Sequence, residues 1–492
     1  MNKIDYSKFE TTPAIPEASS MIETFRAIGY NIETAVADII DNSISANAKN
    51  IWVNFDWLGS DTWLSVKDDG SGMNDKELIQ AMRPGSKNPL QERDSKDLGR
   101  FGLGLKTASF SQARKLTVLS KKKGIDFSYW TWDLEFVKTT GKWDLIKYEI
   151  NTKIVDELAK VTSGTIVLWE DIDRMVKNFV KADTKSLEKF LESMEHVKKH
   201  LAMVFHKFIE KKSISIYFQD RLIEPWNPFL PNDKYTQKFP NEFIENGDVI
   251  IQGFVLPHKS NITETTYKNA EGAKGWNEQQ GFYIYRNDRL LLAGDWLGLF
   301  RKEEHYKLTR IQIELPNTLD ADWQIDIKKS IARPPLLFRE HIKAYALKVR
   351  HQAVEVYRHR GKYIKQNVGQ KFVPLWLDYK RGDKWFFKIN REHPLLKEIK
   401  AEAKSNPEKA IDNLIRIIEE TIPTKSIYIK ESEQPEEQGK PFEGIKHDGI
   451  LTLMKTIFDS LITQGKTKEE AKAVVINLEP FNHYPEYVAT LE

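Results

Sequence analysis

The chain contains 492 residues, carries a net charge of +3 and has no cysteine. A chain of this length can form two or three domains, each with its own core. The absence of cysteine excludes disulfides and thiolate metal sites, so carboxylates, amides and lysines must carry any chemistry. No apolar run approaches the roughly 18 residues that a membrane span needs, and the residues after Met1 lack a signal-peptide core, which predicts a cytoplasmic protein without membrane contact.

The first functional pattern is a carboxylate and an amide on one predicted helix. Residues 35–43 have a helical pattern, and Asp38 and Asn42 are four apart, so both project from the same face. The carboxylate can polarise a water molecule, while the amide oxygen can complete a Mg²⁺ shell of water and phosphate. Glu33 is a rival base, but it lies nine residues before Asn42 and therefore on the opposite face.

A second carboxylate follows a predicted strand. Residues 63–67 alternate as a half-buried strand that ends at Asp68, and Gly70 and Gly72 come next. Such a carboxylate can accept a hydrogen bond from an exocyclic amine, and the glycines allow the backbone to approach a ligand closely. Read alone, the sequence is also that of an ordinary Asp-Gly turn. Further along, Thr165 opens another predicted strand behind small residues that leave room beside a purine.

A glycine-rich segment ends at Thr107. Gly99 and Gly104 have the spacing of a P-loop, but Leu105 stands where the lysine should follow. A Rossmann motif also fails, because Thr107 occupies the third glycine position. The remaining interpretation is a glycine-rich lid whose backbone amides cradle phosphates at the start of a helix over 105–112, with charge added by Lys106.

In this order and at these separations, the four blocks resemble the nucleotide site of the GHKL ATPases, which include DNA gyrase B, heat-shock chaperones, MutL and sensor histidine kinases. The resemblance implies an α/β fold, an α+β sandwich of the Bergerat type, that binds ATP and Mg²⁺. It implies that Asp38 is the general base, Asn42 the magnesium ligand and Asp68 the reader of the adenine amino group. Most of the family carries Glu at the base position, so the shorter Asp38 predicts slow turnover. The loop at 83–98 is expected to close over nucleotide.

The other nucleotide contacts that the resemblance implies come from the glycine turn, the lid and the later strand. They are Gly70, Gly72, Met73, Gly99, Arg100, Phe101, Gly102, Leu103, Gly104, Leu105, Lys106, Thr107 and Thr165.

Three regions are predicted along the chain. The ATP-binding domain covers 1–180, and a ribosomal-S5-like α/β transducer domain covers 181–365. In the transducer, a long helix is predicted over 187–208. Strands are predicted at 214–218, 249–254, 282–285 and 309–314, and a turn is predicted at 286–289. The third region, 366–492, is expected to be mainly helical, with an acidic linker near 431–444 and a helix cap formed by Thr467 and Glu470.

In GHKL ATPases of this type, one lysine near the end of the transducer reaches the γ-phosphate. Residues 322–330 occupy a similar place, and a lysine there can stabilise charge that builds on the terminal phosphate. Lys329 is the first choice and Lys328 the second, because one sequence does not fix the register.

A basic stretch follows the transducer. The net charge of +3 is too small by itself to indicate a nucleic-acid partner, but eight Lys and Arg face two Glu between positions 339 and 365. Such a stripe can meet phosphates, and a solvated helix face is the alternative. The basic residues are Arg339, Lys343, Lys348, Arg350, Arg358, Arg360, Lys362 and Lys365.

Together with residues 225–229, the turn at 285–289 and the segment around Trp323, the blocks make residues 15–335 similar to bacterial MORC-like ATPases, relatives of MutL. Those are encoded beside DNA methyltransferases and nucleases in restriction and phage-defence operons. The resemblance implies an ATP-dependent homodimeric clamp that acts with DNA and with a nuclease, helicase or methyltransferase of the same operon. Two other functions stay open: a chaperone-like ATPase that clamps protein, and an ATP-gated scaffold without catalysis.

Overall fold

The computed structural model describes residues 9–14, 16–85, 104–176, 179, 181–244, 247–320, 322–326, 332–358, 376–381, 384–392, 396, 403–433, 447–477, 481 and 485–491. The chain divides into two compact units, 1–362 and 363–492. Part of the predicted site lies outside the described residues, namely Gly99, Arg100, Phe101, Gly102, Leu103, Lys328 and Lys329. Most of the predicted loop and of the acidic linker also lies outside them.

The first of two sheets in the first unit has seven strands, counted over the described residues. Its spatial order is β4-β3-β5-β2-β1-β6-β7, and its neighbours are antiparallel except for β1 and β6. The strands are β1 (Asn50–Asp56), β2 (Trp63–Asp68), β3 (Lys115–Lys121), β4 (Ser128–Asp133), β5 (Gly164–Glu170), β6 (Ser215–Phe218) and β7 (Arg221–Leu222).

Strand β6 corrects the sequence interpretation, which placed it in the second domain. It pairs in parallel with β1, with Ile216 opposite Ile51, and so belongs to the first sheet. Alternation of apolar residues predicts that a strand exists but does not identify the strand beside it.

Helices cover this sheet. One of them, α2, begins after Asn31, whose side chain accepts a hydrogen bond from the Thr34 amide at 2.9 Å. It packs against α4 and α8. The helices are α1 (Ala18–Arg26), α2 (Ile32–Ser45), α3 (Asp75–Met82), α4 (Gly104–Gln112), α5 (Leu134–Thr140), α6 (Thr152–Ala159), α7 (Asp173–Val176), α8 (Thr184–Val204) and α9 (His206–Glu210).

The second sheet of the first unit has the order β12-β11-β13-β10-β8, and β9 also pairs with β10. The predicted strands at 249–254, 282–285 and 309–314 are confirmed within it. The elements are β8 (Gln237–Lys238), β9 (Glu242–Ile244), β10 (Val249–Val255), α10 (Glu264–Ala270), β11 (Gly281–Arg286), β12 (Arg289–Asp295), β13 (Thr309–Leu315) and α11 (Leu336–Arg358).

A tight turn joins β11 to β12, as the sequence predicts. Asn287 and Asp288 have φ values of 49° and 67°, and Arg286 pairs with Arg289 across the hairpin. Positive φ at both central residues is typical of a type I′ turn, which Asn and Asp tolerate better than most residues.

One hydrophobic core extends from the first sheet to the second. It contains Val36 and Ile39 of α2 together with Tyr283, Tyr285 and Leu290 of the β11–β12 hairpin. The two sheets of the first unit are therefore held together by apolar burial, which is the main favourable term in folding. The hairpin is built against the same core as the helix that carries Asp38.

The second unit has a small hairpin, which the sequence did not predict, and helices. The predicted cap is confirmed: the Glu470 amide donates to Thr467 Oγ1 at 3.3 Å, and the Thr467 amide donates to Glu470 Oε2 at 2.9 Å. The elements are β14 (Trp376–Arg381), β15 (Lys384–Ile389), α12 (Pro407–Thr421), α13 (Thr424–Glu433), α14 (His447–Thr463), α15 (Lys468–Ile476) and α16 (Pro485–Ala489).

One face of the C-terminal helix α14 forms a core of the second unit. Ile450, Met454 and Phe458 of α14 pack with Ala471 and Val475 of α15. Mixed sheets in the first unit and helices in the second confirm the predicted α/β class with a mainly helical C-terminal region. Among the described helices, none combines the length and the apolar character needed to cross a bilayer.

Candidate nucleotide-binding site

The Asp68 carboxylate lies at the end of β2 and is 5% exposed. Its Oδ2 accepts a hydrogen bond from Ser43 Oγ at 2.8 Å, and its Oδ1 accepts from the Gly70 and Thr165 amides at 2.9 and 3.2 Å. Burial raises the pKa of the Asp68 carboxyl, and these three hydrogen bonds oppose that rise without cancelling it. The structure thus brings together three predicted contacts and adds Ser43, which the sequence interpretation missed.

The glycines around Asp68 allow segments of the protein backbone to approach one another. A Cβ on Gly72, which has φ of +62°, would overlap the carbonyl oxygen of Lys121, and one on Gly164 would overlap that of Asp68. A Cβ on Gly70 would lie 2.9 Å from the Ala46 carbonyl oxygen. Sequence reasoning assigned Gly70 and Gly72 to close approach of a ligand. In the structure the close approach is between protein segments, and direct ligand contact by these glycines stays a prediction.

Ser120 on β3 links two of the predicted contacts. Its Oγ accepts a hydrogen bond from the Met73 amide at 2.9 Å and lies 2.8 Å from Thr165 Oγ1. A buried serine in a strand has no distinguishing local pattern, so only the pairing of β3 with β5 identifies it.

Asp38 and Asn42 both lie on helix α2, one turn apart. Asp38 is 3% exposed, and its Oδ2 accepts a hydrogen bond from the Tyr30 hydroxyl at 2.8 Å. Asn42 is exposed, and its Nδ2 donates to the backbone oxygen of Asp38 at 3.1 Å. Because the amide nitrogen is used within the helix, the amide oxygen is the atom that can ligate a metal.

The residues present fit a magnesium ion that is held largely by nucleotide. Within the described residues, no group of three His, Asp or Glu could hold a metal without other ligands. Mg²⁺ retains waters and is bound through one or two protein oxygens plus phosphates, so a single oxygen from Asn42 suits it.

The start of α4 lies beside Asp38. A Cβ on Gly104 would be 3.7 Å from Asp38 Oδ2, and the Thr107 side chain hydrogen-bonds to the Tyr30 hydroxyl. Leu105 is half-buried against the core. The predicted end of the lid is therefore next to the candidate base.

Lys106 has a different environment from the one expected. It is 2% exposed, and its Nζ donates to the backbone oxygen of Ala81 at 2.9 Å, near the end of α3. Lysine there satisfies a helix carbonyl and suits the negative end of the helix dipole. Its predicted role at the phosphates stays a prediction.

The second sheet contributes a cation to this site. Arg289, the first residue of β12, is 4% exposed, and its Nε lies 3.1 and 3.3 Å from the two carboxylate oxygens of Asp41. One of its terminal nitrogens is 4.0 Å from Asp38 Oδ1. The sequence showed the turn that contains Arg289 but gave no sign that it faces α2.

Tyr30 is the other group that sequence reasoning missed. Burial is the largest cause that raises the pKa of its hydroxyl, followed by the charge of Asp38 and the hydrogen bond to it, and the charge of Asp326 adds to the rise. Asp326 ends the described part of the segment that leads to Lys328 and Lys329. Tyr30 therefore stays a neutral donor and lies within electrostatic range of that segment.

His200 on α8 is held neutral beside this charge cluster. Burial lowers the pKa of its imidazole to about 3, and the positive charges of Arg289 and Lys274 act in the same direction. Arg289 is therefore not repelled by a second positive charge on this histidine.

One member of the predicted basic stripe is not available to phosphates. Arg350 is 8% exposed, and its guanidinium stacks 3.6 Å from the ring centre of Tyr306 and 4.0 Å from that of Phe300. Including it in the stripe was wrong, because charge in the sequence does not show which face of a helix is covered. Arg339 and Lys348 are exposed, and Lys348 pairs with Glu242 at 3.1 Å. Arg360, Lys362 and Lys365 lie outside the described residues, and so does the side chain of Arg358.

Comparison with known proteins agrees with this geometry. Residues 30–165 match the family described as histidine kinase-, DNA gyrase B- and HSP90-like ATPase. The chain is 33% identical over 92 residues to ATPase morc-1 of Caenorhabditis elegans, which is 19% of this chain and 10% of that protein. It is 29% identical over 97 residues to the DNA mismatch repair protein MutL of Rickettsia akari and of Rickettsia felis, 20% of this chain and 16% of those proteins.

Residues 30–165 thus match an ATPase domain of the GHKL type. By sequence the chain is similar to the ATPase morc-1 and to the DNA mismatch repair protein MutL, and it spans only a small part of the length of each.

Proposed function

We propose that this protein binds ATP with Mg²⁺ and hydrolyses it slowly, with Asp38 as the general base. The observation that carries this proposal is the junction of α2 and β2, where Ser43, on the helix that also carries Asp38 and Asn42, donates to the Asp68 carboxylate at 2.8 Å. Hydrolysis needs a general base within reach of the attacking water, and Asp38 lies on the helix that this contact fixes.

In this proposal Asp68 reads adenine. An ionised carboxylate has about four acceptor positions. Three are used by Ser43, Gly70 and Thr165, which leaves one for the exocyclic amine. The protein donors fix the Asp68 carboxylate in place, so it is oriented before adenine binds.

The phosphate end of the site would use Asn42, the lid and one lysine. Asn42 offers its amide oxygen to Mg²⁺, which would neutralise phosphate charge when bound. Lys329, or Lys328 in the other register, would contact the terminal phosphate. This assignment is supported by Asp326, three positions before Lys329, whose charge acts on Tyr30 beside the base.

We further propose that ATP binding drives formation of a homodimeric clamp that acts with DNA. Support comes from the similarity to MutL, a DNA mismatch repair protein, and from exposed Arg339 on α11. A bacterial restriction-modification or anti-phage context, with a nuclease, helicase or methyltransferase partner, rests on the resemblance to MORC-like ATPases.

An ATP-gated scaffold is the second candidate. It is favoured by the environment of Asp38, a short side chain whose Oδ2 is held by Tyr30 at 2.8 Å. A carboxylate so restrained can complete a binding site while activating water poorly.

Steady-state ATP hydrolysis with Mg²⁺, measured with and without duplex DNA, tests these functions. Asp38→Asn is the blank, and Glu33→Gln is the matched control, because Glu33 is a carboxylate on the opposite face of the same helix. Turnover that increases with DNA and disappears only in Asp38→Asn supports the DNA-coupled ATPase. Turnover that DNA does not change favours a protein clamp. Turnover no higher than that of Asp38→Asn favours the scaffold.

A further inference from the structure

The β11–β12 hairpin places two buried arginines on either side of one turn. Arg286 and Arg289 are cross-strand partners that are 1% and 4% exposed. A buried guanidinium is costly unless it is paired, so the partners of each show what the turn holds.

Arg289 holds the helix that carries the candidate base. Its Nε is 3.1 Å from Asp41 Oδ1, and a terminal nitrogen is 4.0 Å from Asp38 Oδ1. Asp38 and Asp41 are three apart on α2 and so lie on neighbouring positions of one face. At 4.0 Å, Arg289 acts on Asp38 through its charge rather than through a hydrogen bond. Its guanidinium also lies 5.4 Å from the ring centre of Phe205, which fixes its other side.

Arg286 holds Asp320, which lies a few residues before the candidate lysines in the chain. Its Nη1 donates to Asp320 Oδ2 at 2.7 Å, and the two side chains are 1% and 2% exposed. Trp323 follows, fully buried, and its backbone oxygen accepts from the Arg333 amide at 2.7 Å.

We propose that Arg289 is a positioning residue for Asp38. The assignment rests on the proposed function for the identity of the base. The Arg289–Asp41 pair fixes this part of α2 against the hairpin, and the guanidinium charge 4.0 Å from Asp38 Oδ1 favours one orientation of that carboxylate. Since a misplacement of about 1 Å can cost on the order of 100-fold in rate, a small shift is enough to control hydrolysis.

The test compares Arg289→Gln and Arg289→Lys with Arg26→Gln. Arg26 is the control: it is also 4% exposed and holds a carboxylate, that of Asp173, at 2.7 and 2.8 Å. It also donates to the backbone oxygens of Phe110 and Ala113, at the opposite end of α4 from Gly104. For each variant, kcat, KM for ATP, the Kd of a non-hydrolysable ATP analogue and the melting temperature are measured.

Arg289→Gln is expected to lower kcat by about 10- to 100-fold while the analogue Kd changes by less than about threefold. Arg289→Lys retains the charge and should recover part of kcat. Arg26→Gln should lower the melting temperature while leaving kcat unchanged at temperatures where it is folded. Adding Arg289→Gln to Asp38→Asn should cause no further loss, because the residue acts through Asp38.

Equal changes in kcat for Arg289→Gln and Arg26→Gln would make Arg289 merely structural and overturn the proposal. A wild type that hydrolyses no more ATP than Asp38→Asn would instead defeat the proposed function. Hydrogen exchange then tests the positioning by itself: Arg289→Gln should increase exchange in residues 38–45 of α2, whereas Arg26→Gln should not. Equal exchange of these residues in the two variants would overturn the proposal.

Discussion

Arg289 Nε lies 3.1 Å from Asp41 Oδ1, across a separation of 248 residues in the chain. This buried contact joins the second sheet to the helix that carries Asp38. Removing one partner of such a pair leaves an uncompensated buried charge, which costs about 3–5 kcal/mol. The contact therefore ties the stability of the first unit to the geometry of its candidate active site.

Asp38→Asn should abolish most ATP hydrolysis while ATP still binds. The amide cannot accept a proton, and general-base catalysis contributes about 10²- to 10⁴-fold to rate. Single-turnover hydrolysis and analogue binding measure the two effects separately. Glu33→Gln serves as the control, and a loss of turnover in that variant would count against the choice of Asp38.

Asp68→Asn should weaken ATP binding and reduce the preference for adenine over guanine nucleotides. A hydrogen bond to a charged group contributes about 1.5–3 kcal/mol, so an affinity loss of about 10- to 100-fold is expected. Asp69→Asn is the control, because Asp69 Oδ1 instead accepts the Lys49 and Asn50 amides at 2.6 and 2.9 Å. Competition between ATP and GTP is the measurement. An unchanged ratio in Asp68→Asn would show that the residue has only a structural role.

Gly72→Ala should destabilise the first unit by more than Gly124→Ala. Both glycines have positive φ, +62° and +78°, but a Cβ on Gly72 would overlap Lys121, while one on Gly124 meets nothing within 4 Å. The control isolates backbone strain, about 1–2 kcal/mol, and the excess at Gly72 reports the steric overlap. Urea unfolding of both variants measures the difference, and equal losses would contradict this account.

Stability should decrease as the pH falls below about 6.5, in part because of His200. The unfolded imidazole titrates near 6.5, whereas burial lowers the folded pKa to about 3. Between these values the unfolded chain binds more protons, so the free energy of unfolding decreases by up to about 2 kcal/mol at pH 5.

His200→Gln should flatten this dependence between pH 7.5 and pH 5, as measured by urea unfolding. His196→Gln on the same helix is exposed and provides the control. If His200→Gln keeps the same pH dependence as the wild type and His196→Gln, His200 is not the group responsible.

Local geometry explains what could be predicted from sequence. The shared face of Asp38 and Asn42 follows from helix periodicity, and Asp68 follows from the end of an alternating strand. The Thr467–Glu470 cap needed only four consecutive residues. The lid residues Gly99, Arg100, Phe101, Gly102 and Leu103, and the lysines at 328 and 329, stay predictions.

The sequence by itself thus determined some of the helices, among them the one that carries Asp38, some of the strands and the resemblance of the nucleotide motifs, because each depends on residues close together in the chain. Only the tertiary structure decided that β6 joins the first sheet, that Arg350 is buried against Tyr306 and that Arg289 faces Asp41. Those contacts depend on sheet order and on a core shared by distant segments. Charge and periodicity show that a side chain can form a buried pair, but packing selects its partner.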